Sequence, residues 1–360
     1  MSISQNKDFL YLKLAFRQAE INLGSTSLNP SVGCIVVRNN SVISSGRTSF
    51  NGRPHAEANA LKKKIVNGAC MYVTLEPCSH YGETPPCVKN IIKKKLHKVV
   101  FPINDSDKRS KNIAHKKLTN SKIKVQRFTL KKFAKKFYES YFLQSIAKAP
   151  FVDAKLAISN DYLTINKKQK WITNSYSRKV GNFLRSKYDC ILSTSETINF
   201  DNPLLDCRIE GLENKSPAIV IVDRSLKIKK KLLIFRDKSR KIFIFTQANN
   251  KPKEEYFKSM GVNIIKLRKS SNLKNNILEI FFLLKQLGFN RVLIESGLKY
   301  LNEVLRCKLI KNFYLFKSSV SLKKNGKNNA LPSLIKKLKI KLNNRVKINL
   351  KDDTLYKIQL

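Results

Sequence analysis

His55-Ala56-Glu57, followed by Pro77-Cys78 and then by Cys87, brings an imidazole, a carboxylate and two thiols into one stretch of the chain. One imidazole and two thiolates are the borderline and soft ligands that hold Zn²⁺ tetrahedrally while leaving a fourth position for water. Zinc lowers the pKa of such a water toward neutrality, so a nucleophile is on hand to attack an amidine-like ring carbon. Glu57 suits the remaining task, taking the water's proton and delivering it to the departing amine. His55, Cys78 and Cys87 are therefore the candidate metal ligands, and Glu57 the candidate catalytic residue. The arrangement is that of a zinc-dependent deaminase, in which the Glu of His-x-Glu is not a ligand.

These residues need elements to hold them. Asp8 to Leu23 carries Phe9, Leu12, Phe16, Ala19 and Leu23 at helical spacing and stops at Gly24. Val32 to Val37, then Asn39-Asn40, then Val42-Ile43 reads as two strands joined by a tight turn, because asparagine tolerates left-handed conformations. His55 to Lys64 is predicted helical, Cys70 to Leu75 a strand, Pro85 to Lys95 helical and Lys98 to Pro102 a strand. Such alternation implies a sheet with helices on its faces. His55 and Cys87 would then open helices, whose dipoles favour thiolate and hydroxide.

Asn104 to Asn120 is polar and poorly periodic, and Phe128 to Ile146 resumes a helical pattern. Ala149-Pro150 punctuates the chain, since the residue before proline is pushed out of helix. Domains are expected over 1–147 and 148–360. The second half holds β-rich runs at Val152–Ile158, Cys190–Ser193, Ala218–Val222, Lys241–Thr246, Val262–Leu267 and Arg291–Ile294, with helical stretches at Ser175–Ser186 and Asn275–Leu287. That pattern predicts a second α/β domain.

Composition bounds the reading. The chain has 360 residues, enough for two domains, with 42% hydrophobic and 27% charged residues, which excludes a disordered or collagenous protein. Seven cysteines, an odd number spread from 34 to 307, argue against a disulfide framework. No apolar run is long enough to span a membrane, and Asp8 and Lys13 interrupt the N-terminus, so a soluble, cytoplasmic chain is expected. The net charge of +46 would suit a nucleic-acid binder, but such a footprint should cluster. Residues 1–148 hold 27 basic and 8 acidic side chains, and 149–360 hold 44 and 17, about 0.13 charge per residue in each. Lysines outnumber arginines 55 to 16, whereas a phosphate-binding surface favours the arginine fork. The even lysine excess reads as compositional, with no nucleic-acid or membrane partner expected.

Longer runs carry a resemblance. Asn29-Pro30-Ser31-Val32-Gly33-Cys34, Pro54-His55-Ala56-Glu57, Tyr72-Val73-Thr74-Leu75-Glu76-Pro77-Cys78-Ser79-His80 and Gly82 with Thr84-Pro85-Pro86-Cys87 resemble the deaminase half of the bifunctional riboflavin-biosynthesis deaminase/reductase family. Eight residues separate Cys78 from Cys87, the longer loop of that family rather than the Cys-x-x-Cys of most cytidine and tRNA-adenosine deaminases. The resemblance implies a cytidine-deaminase-like three-layer α/β domain. It implies hydrolytic deamination of 2,5-diamino-6-ribosylamino-4(3H)-pyrimidinone 5′-phosphate, with Asn29 holding the pyrimidine. Departures fall at Thr48, where the family usually has histidine, at Glu83, where it has a basic residue, and over Asp105–Asn112, where it has a Pro- and Gly-rich loop. An acidic Glu83 is expected to repel a substrate phosphate.

Lys155-Leu156-Ala157-Ile158-Ser159, Trp171-Ile172-Thr173, Arg185, Thr197, Asp201-Asn202-Pro203-Leu204, Arg208, Val222-Asp223-Arg224 and Glu295-Ser296-Gly297 resemble the reductase half of the same family. That implies a dihydrofolate-reductase-like α/β domain using NADPH to reduce the ribosyl group to ribityl. By the resemblance, Ala157, Trp171, Thr197, Asp201 and Gly297 border the cofactor, and Gln169, Arg185, Leu205, Arg208 and Glu295 border the substrate. Arg185 and Arg208 have the fork that grips a phosphate. Ala157 replaces the family's usual glycine, and Leu298-Lys299-Tyr300 replaces the usual small residues after Gly297. A homo-oligomer formed through the second domain is also implied.

Two other readings compete: a chain with only one active half, and an RNA-editing zinc deaminase that uses the positive charge. The Cys-x8-Cys spacing and the second half favour the bifunctional enzyme. Steeply salt-dependent RNA binding would favour the editor.

Overall fold

Asn39 and Asn40 both take left-handed backbone angles, φ 50° and 60°, and close the hairpin between β1 (Gly33–Arg38) and β2 (Ser41–Arg47). A two-residue turn of this hand matches the twist of the strands it joins. The computed structural model describes residues 3–62, 66–127, 130–144, 147, 149–338 and 342–360. They divide into two compact units, Met1–Ala147 and Lys148–Leu360.

In the first unit β1 pairs antiparallel with β2 and with β3 (Cys70–Val73), and β4 (Lys98–Phe101) and β5 (Lys124–Arg127) add in parallel, giving the order β2-β1-β3-β4-β5. The alternation along β1 makes three layers. Ile35 and Val37 pack with Leu12 and Ala15 of α1 (Ile3–Ile21), while Cys34 and Val36 join the opposite cluster. There they meet Ala56 and Ala60 of α2 (Ala56–Ala60) and Val88 and Ile91 of α3 (Cys87–Lys93). Gly46 in β2 is required by this packing, because a Cβ there would lie 2.2 Å from the Ala56 carbonyl oxygen.

The polar stretch from Asn104 holds α4 (Ile113–Asn120), and β5 follows it. Both escape sequence reading for a physical reason. α4 buries only Ala114 and Leu118, one turn apart, and β5 is an edge strand of Lys124, Val125, Gln126 and Arg127 with no buried position. The helical pattern from Phe128 resolves into α5 (Lys131–Phe137) and α6 (Glu139–Gln144). Phe128 and Ile146, like Lys63 and Lys64 at the predicted end of the helix after His55, lie outside the described residues.

The second unit is built on β6 (Phe151–Ile158), β8 (Cys190–Thr194), β9 (Ala218–Val222), β10 (Ile242–Thr246), β11 (Val262–Lys266), β12 (Arg291–Ile294), β13 (Ile310–Lys317) and β15 (Thr354–Gln359). Their order is β11-β10-β9-β8-β12-β6-β13-β15, parallel throughout except for β15. A parallel sheet covered on both faces needs mostly apolar strands, and β8, β9, β10 and β12 supply them, while β6 carries Asp153 and Lys155 within its apolar run. A small antiparallel pair joins β7 (Leu163–Asn166) to β14 (Gly326–Asn329). Helices α7 (Ser175–Arg185), α8 (Ser195–Asp201), α9 (Lys251–Ser259), α10 (Leu273–Gln286) and α11 (Leu298–Arg306) lie along the chain between strands. Sequence periodicity missed β13, where Lys311 and Asn312 interrupt the apolar run at a register shift, and edge strand β15.

Candidate zinc and reductase sites

Extended backbone at His55 ends just before α2, so His55 stands at the N-cap, and Glu57 is buried in the first helical turn. Pro86 caps α3, and Cys87 is its first residue. Cys78 sits in the loop after β3 and receives the Cys87 backbone N–H at 3.2 Å. The two helix starts therefore face one point from separate segments. His55 Nδ1 lies 3.5 Å from Cys78 Sγ and 3.5 Å from Cys87 Sγ, and the three ligand atoms lie within 4.8 Å of one another. A tetrahedral zinc with Zn–N of about 2.0 Å and Zn–S of about 2.3 Å has an N···S edge of about 3.5 Å. The donor set fits Zn²⁺ in both chemistry and spacing, and Nδ1 is the ring nitrogen turned to it.

Burial, and then the charge of Cys78, push the Glu57 carboxyl up to about 7. A group that releases and regains its proton near neutrality is what proton shuttling needs. The hydrogen bond from Cys87, with support from His55, draws the Cys78 thiol down to about 4, and the same contact pushes Cys87 up. Of the two thiols, Cys78 is the one drawn toward the thiolate that metal binding requires.

Around this point lies a cavity of about 320 Å³ lined by His55, Glu57, Cys78, Asn29, Thr48 and Arg53, among others. Asn29 reaches it because Gly52, at φ +89°, leaves room: a Cβ on Gly52 would lie 2.4 Å from Asn29 Nδ2. Thr48, where a histidine is usual, is buried and structural. Its hydroxyl accepts the Val32 N–H at 2.9 Å and donates to the Pro30 carbonyl at 3.1 Å, fixing the segment after Asn29. Glu76 ties down the divergent Asp105–Asn112 loop, its carboxylate accepting the backbone N–H groups of Asp105, Asn112 and Ala114. Asp105 accepts the Tyr141 hydroxyl at 2.8 Å.

In the second unit Arg185, the last residue of α7, meets Glu295, just beyond β12, in a two-pronged ion pair. Its remaining nitrogen donates to Asn182 Oδ1 and to the Asp206 carbonyl. The fork that sequence reading assigned to a phosphate is thus occupied by a carboxylate. Lys155 of β6 adds a third charge, Nζ lying 3.8 Å from Glu295 Oε2, and its own field reaches Asp201. Lys155 shares its mostly apolar strand with Asp153. Arg208 is exposed and pairs with Asp206.

Thr197 and Gly297 come together from 100 residues apart, Gly297 N–H donating to Thr197 Oγ1 at 2.9 Å. This joins the N-terminal ends of α8 and α11. Trp171 is exposed, with the Arg178 guanidinium 4.9 Å from its ring centre. Gln169 is exposed in the loop after β7, its N–H donating to Asn166 Oδ1, and Ala157 is half-buried in β6. Leu205 is buried at φ +52°, a strained angle for a branched side chain. Arg240 holds that turn: its guanidinium donates to the carbonyls of Leu204, Leu205 and Pro217 at 2.7–3.1 Å. It lies in a charged surface stretch, where sequence offers no sign of such a task.

Fold and site together define a bifunctional enzyme, a zinc-binding deaminase unit followed by a reductase unit. Residues 5–103 match the cytidine and deoxycytidylate deaminase zinc-binding region, and residues 150–348 match the RibD C-terminal domain. The riboflavin biosynthesis protein RibD of Buchnera aphidicola subsp. Baizongia pistaciae is 32% identical over 327 residues, 86% of each chain. That of Aquifex aeolicus is 32% identical over 300 residues, 82% of each. Acinetobacter baumannii RibD has the same fold at a TM-score of 0.81 and 25% identity, over 99% of both chains. The Thermotoga maritima diaminohydroxyphosphoribosylaminopyrimidine deaminase/5-amino-6-(5-phosphoribosylamino)uracil reductase gives 0.80 and 26%, also over 99% of both. The chain belongs to the RibD family of riboflavin biosynthesis proteins. No described helix is long and apolar enough to cross a membrane.

Proposed function

We propose that the first unit hydrolytically deaminates 2,5-diamino-6-ribosylamino-4(3H)-pyrimidinone 5′-phosphate, and that the second reduces the product's ribosyl group with NADPH to give 5-amino-6-ribitylamino-uracil 5′-phosphate. The observation that carries the reading is the His55, Cys78 and Cys87 triangle with Glu57 in the same cavity, in a chain that continues into the RibD C-terminal domain. His55, Cys78 and Cys87 hold Zn²⁺, which when bound supplies a Lewis acid and a water nucleophile near neutral pH. Asn29 holds the pyrimidine against the cavity wall. Glu57 takes a proton from water and delivers it to the leaving amine, so that ammonia departs and a carbonyl replaces the ring amine. Burial of Glu57 keeps that proton from bulk water.

NADPH supplies the hydride of the second reaction; the protein positions it and the substrate. Helix N-terminal ends favour anionic groups, and the Thr197–Gly297 junction joins two of them, which supports placing cofactor phosphates there. Ala157, Trp171 and Asp201 border the rest of the cofactor. Glu295, oriented by Arg185 and Lys155, together with Gln169, Leu205 and Arg208, borders the ribosyl phosphate. Here Arg185 is a positioning residue. Separate assays, of ammonia release from the phosphorylated diaminopyrimidinone and of NADPH oxidation with its deaminated 5′-phosphate product supplied directly, test the two halves. Activity in both is expected, and absence of either from zinc-loaded, folded protein would overturn that half of the reading.

A further inference from the structure

A phosphate dianion entering the first unit's cavity meets mostly negative charge. Glu57, Glu76, Glu83, Asp105 and Asp107 all line it. Among the described lining residues, the guanidinium groups are those of Arg53 and Arg109. They are not equivalent. Arg109 is spent: Nε and Nη2 both donate to the Asp107 carboxylate, at 3.0 and 2.6 Å, and its backbone N–H binds the same group. Its side chain is also 65% exposed.

Arg53 is held differently. Its side chain is 27% exposed, Nη1 donates to Thr84 Oγ1 at 2.9 Å, and Nε meets Glu83 Oε2 at 3.0 Å. Glu83 is 81% exposed and makes this single contact with the guanidinium, an interaction worth about 0–1 kcal/mol. Among the described residues Nη2 makes no hydrogen bond, and it lies beside Gly82, where an added Cβ would sit 3.5 Å away. An arginine held at Nη1 by Thr84, whose Nε and Nη2 N–H groups form a parallel pair once Glu83 moves aside, matches a phosphate better than it matches one exposed carboxylate.

We propose that Arg53 receives the 5′-phosphate of the deaminase substrate, with Thr84 as its positioning residue and Glu83 as a weak, displaceable partner. The inference rests on the proposed function of this site and adds the residue that selects phosphorylated over unphosphorylated substrate. It also revises the expected effect of Glu83, whose charge is spent partly on Arg53 rather than wholly against the ligand.

The test is the ratio of kcat/KM for ammonia release from the phosphorylated pyrimidine to that from its dephosphorylated form, measured on the full zinc-loaded chain. Arg53→Ala is expected to lower that ratio at least ten-fold through KM, Arg53→Lys to restore part of it, and Arg109→Ala to leave it within about two-fold. Glu83→Gln is expected to lower KM for the phosphorylated compound by about two- to five-fold. Zinc content of each variant reports that the unit is folded. An unaltered ratio in Arg53→Ala, or a larger fall in Arg109→Ala, would overturn the inference while leaving the deaminase reading intact. A wild-type chain that releases no ammonia from either compound would overturn both.

Discussion

Arg185 closes both arms of its guanidinium on Glu295, Nε to Oε1 at 2.7 Å and Nη2 to Oε2 at 3.0 Å. Burial alone would raise the Glu295 carboxyl, but the charges of Arg185 and then Lys155 outweigh it and hold the group at about 2, against an ordinary 4.5. A carboxylate whose folded value is depressed stabilises the fold above its unfolded value and loses that contribution as pH falls through the folded one. Stability of the second unit is therefore expected to decline between about pH 4.5 and pH 2. Glu295→Gln should flatten that decline in acid unfolding curves. At neutral pH it should cost about 3 kcal/mol, because two buried cations lose their counter-charge. An acid profile identical to wild type would count against the pair.

Glu57→Gln removes the proton shuttle without touching a ligand. Ammonia release should fall by about 10²–10⁴-fold while zinc content by metal analysis stays at the wild-type level. Intact ammonia release in this variant would show that another group moves the proton.

Cys87→Ser should empty the zinc site, since it removes one of three protein ligands. Chelation of the wild type should abolish ammonia release and leave NADPH oxidation at its original rate when the deaminated 5′-phosphate is supplied to the second unit. A parallel loss of both activities would mean that the metal serves the reductase as well.

Arg240→Ala frees the Leu204 and Leu205 carbonyls and lets the strained turn relax. KM of the reductase reaction for the pyrimidine is expected to rise about ten-fold, with a smaller change in kcat. Arg240→Lys, which cannot reach all three carbonyls, should recover only part of the loss. Equal changes in kcat and KM for NADPH would point to a general loosening instead.

Gly46→Ala drives a methyl group into the Ala56 carbonyl, 2.2 Å from where the new carbon would sit. Overpacking of this kind costs about 1–3 kcal/mol. The shift falls on α2, which carries Glu57, so ammonia release should drop along with the melting temperature of the first unit.

The zinc constellation was legible in the sequence because its chemistry constrains residue type tightly: His, Glu and two Cys have few substitutes there. The β1–β2 turn was legible for a similar reason, since Asn39-Asn40 takes angles that few residues accept. The reductase site was less so. Its central cation, Lys155, looks from sequence like one more lysine among 55, and only the sheet shows that it meets Glu295. Arg240 was invisible because its partners are backbone carbonyls, which have no sequence identity. Thr48, read from sequence as a departure, has a role in packing, and Glu83 pairs weakly with Arg53 rather than standing free against the ligand. Local pattern records what a residue is, whereas these roles depend on what it meets.

β6 sits between β12 and β13 in the large sheet, so the second unit's first strand pairs only with strands from its far end. During synthesis Phe151–Ile158 leaves the ribosome long before Arg291–Ile294 exists. At about 5–20 residues per second the wait is roughly 10–30 s. For that interval the segment has two unpaired edges, so the large sheet can close around β6 only after residues 291–317 have been made, a folding step that spans most of the unit.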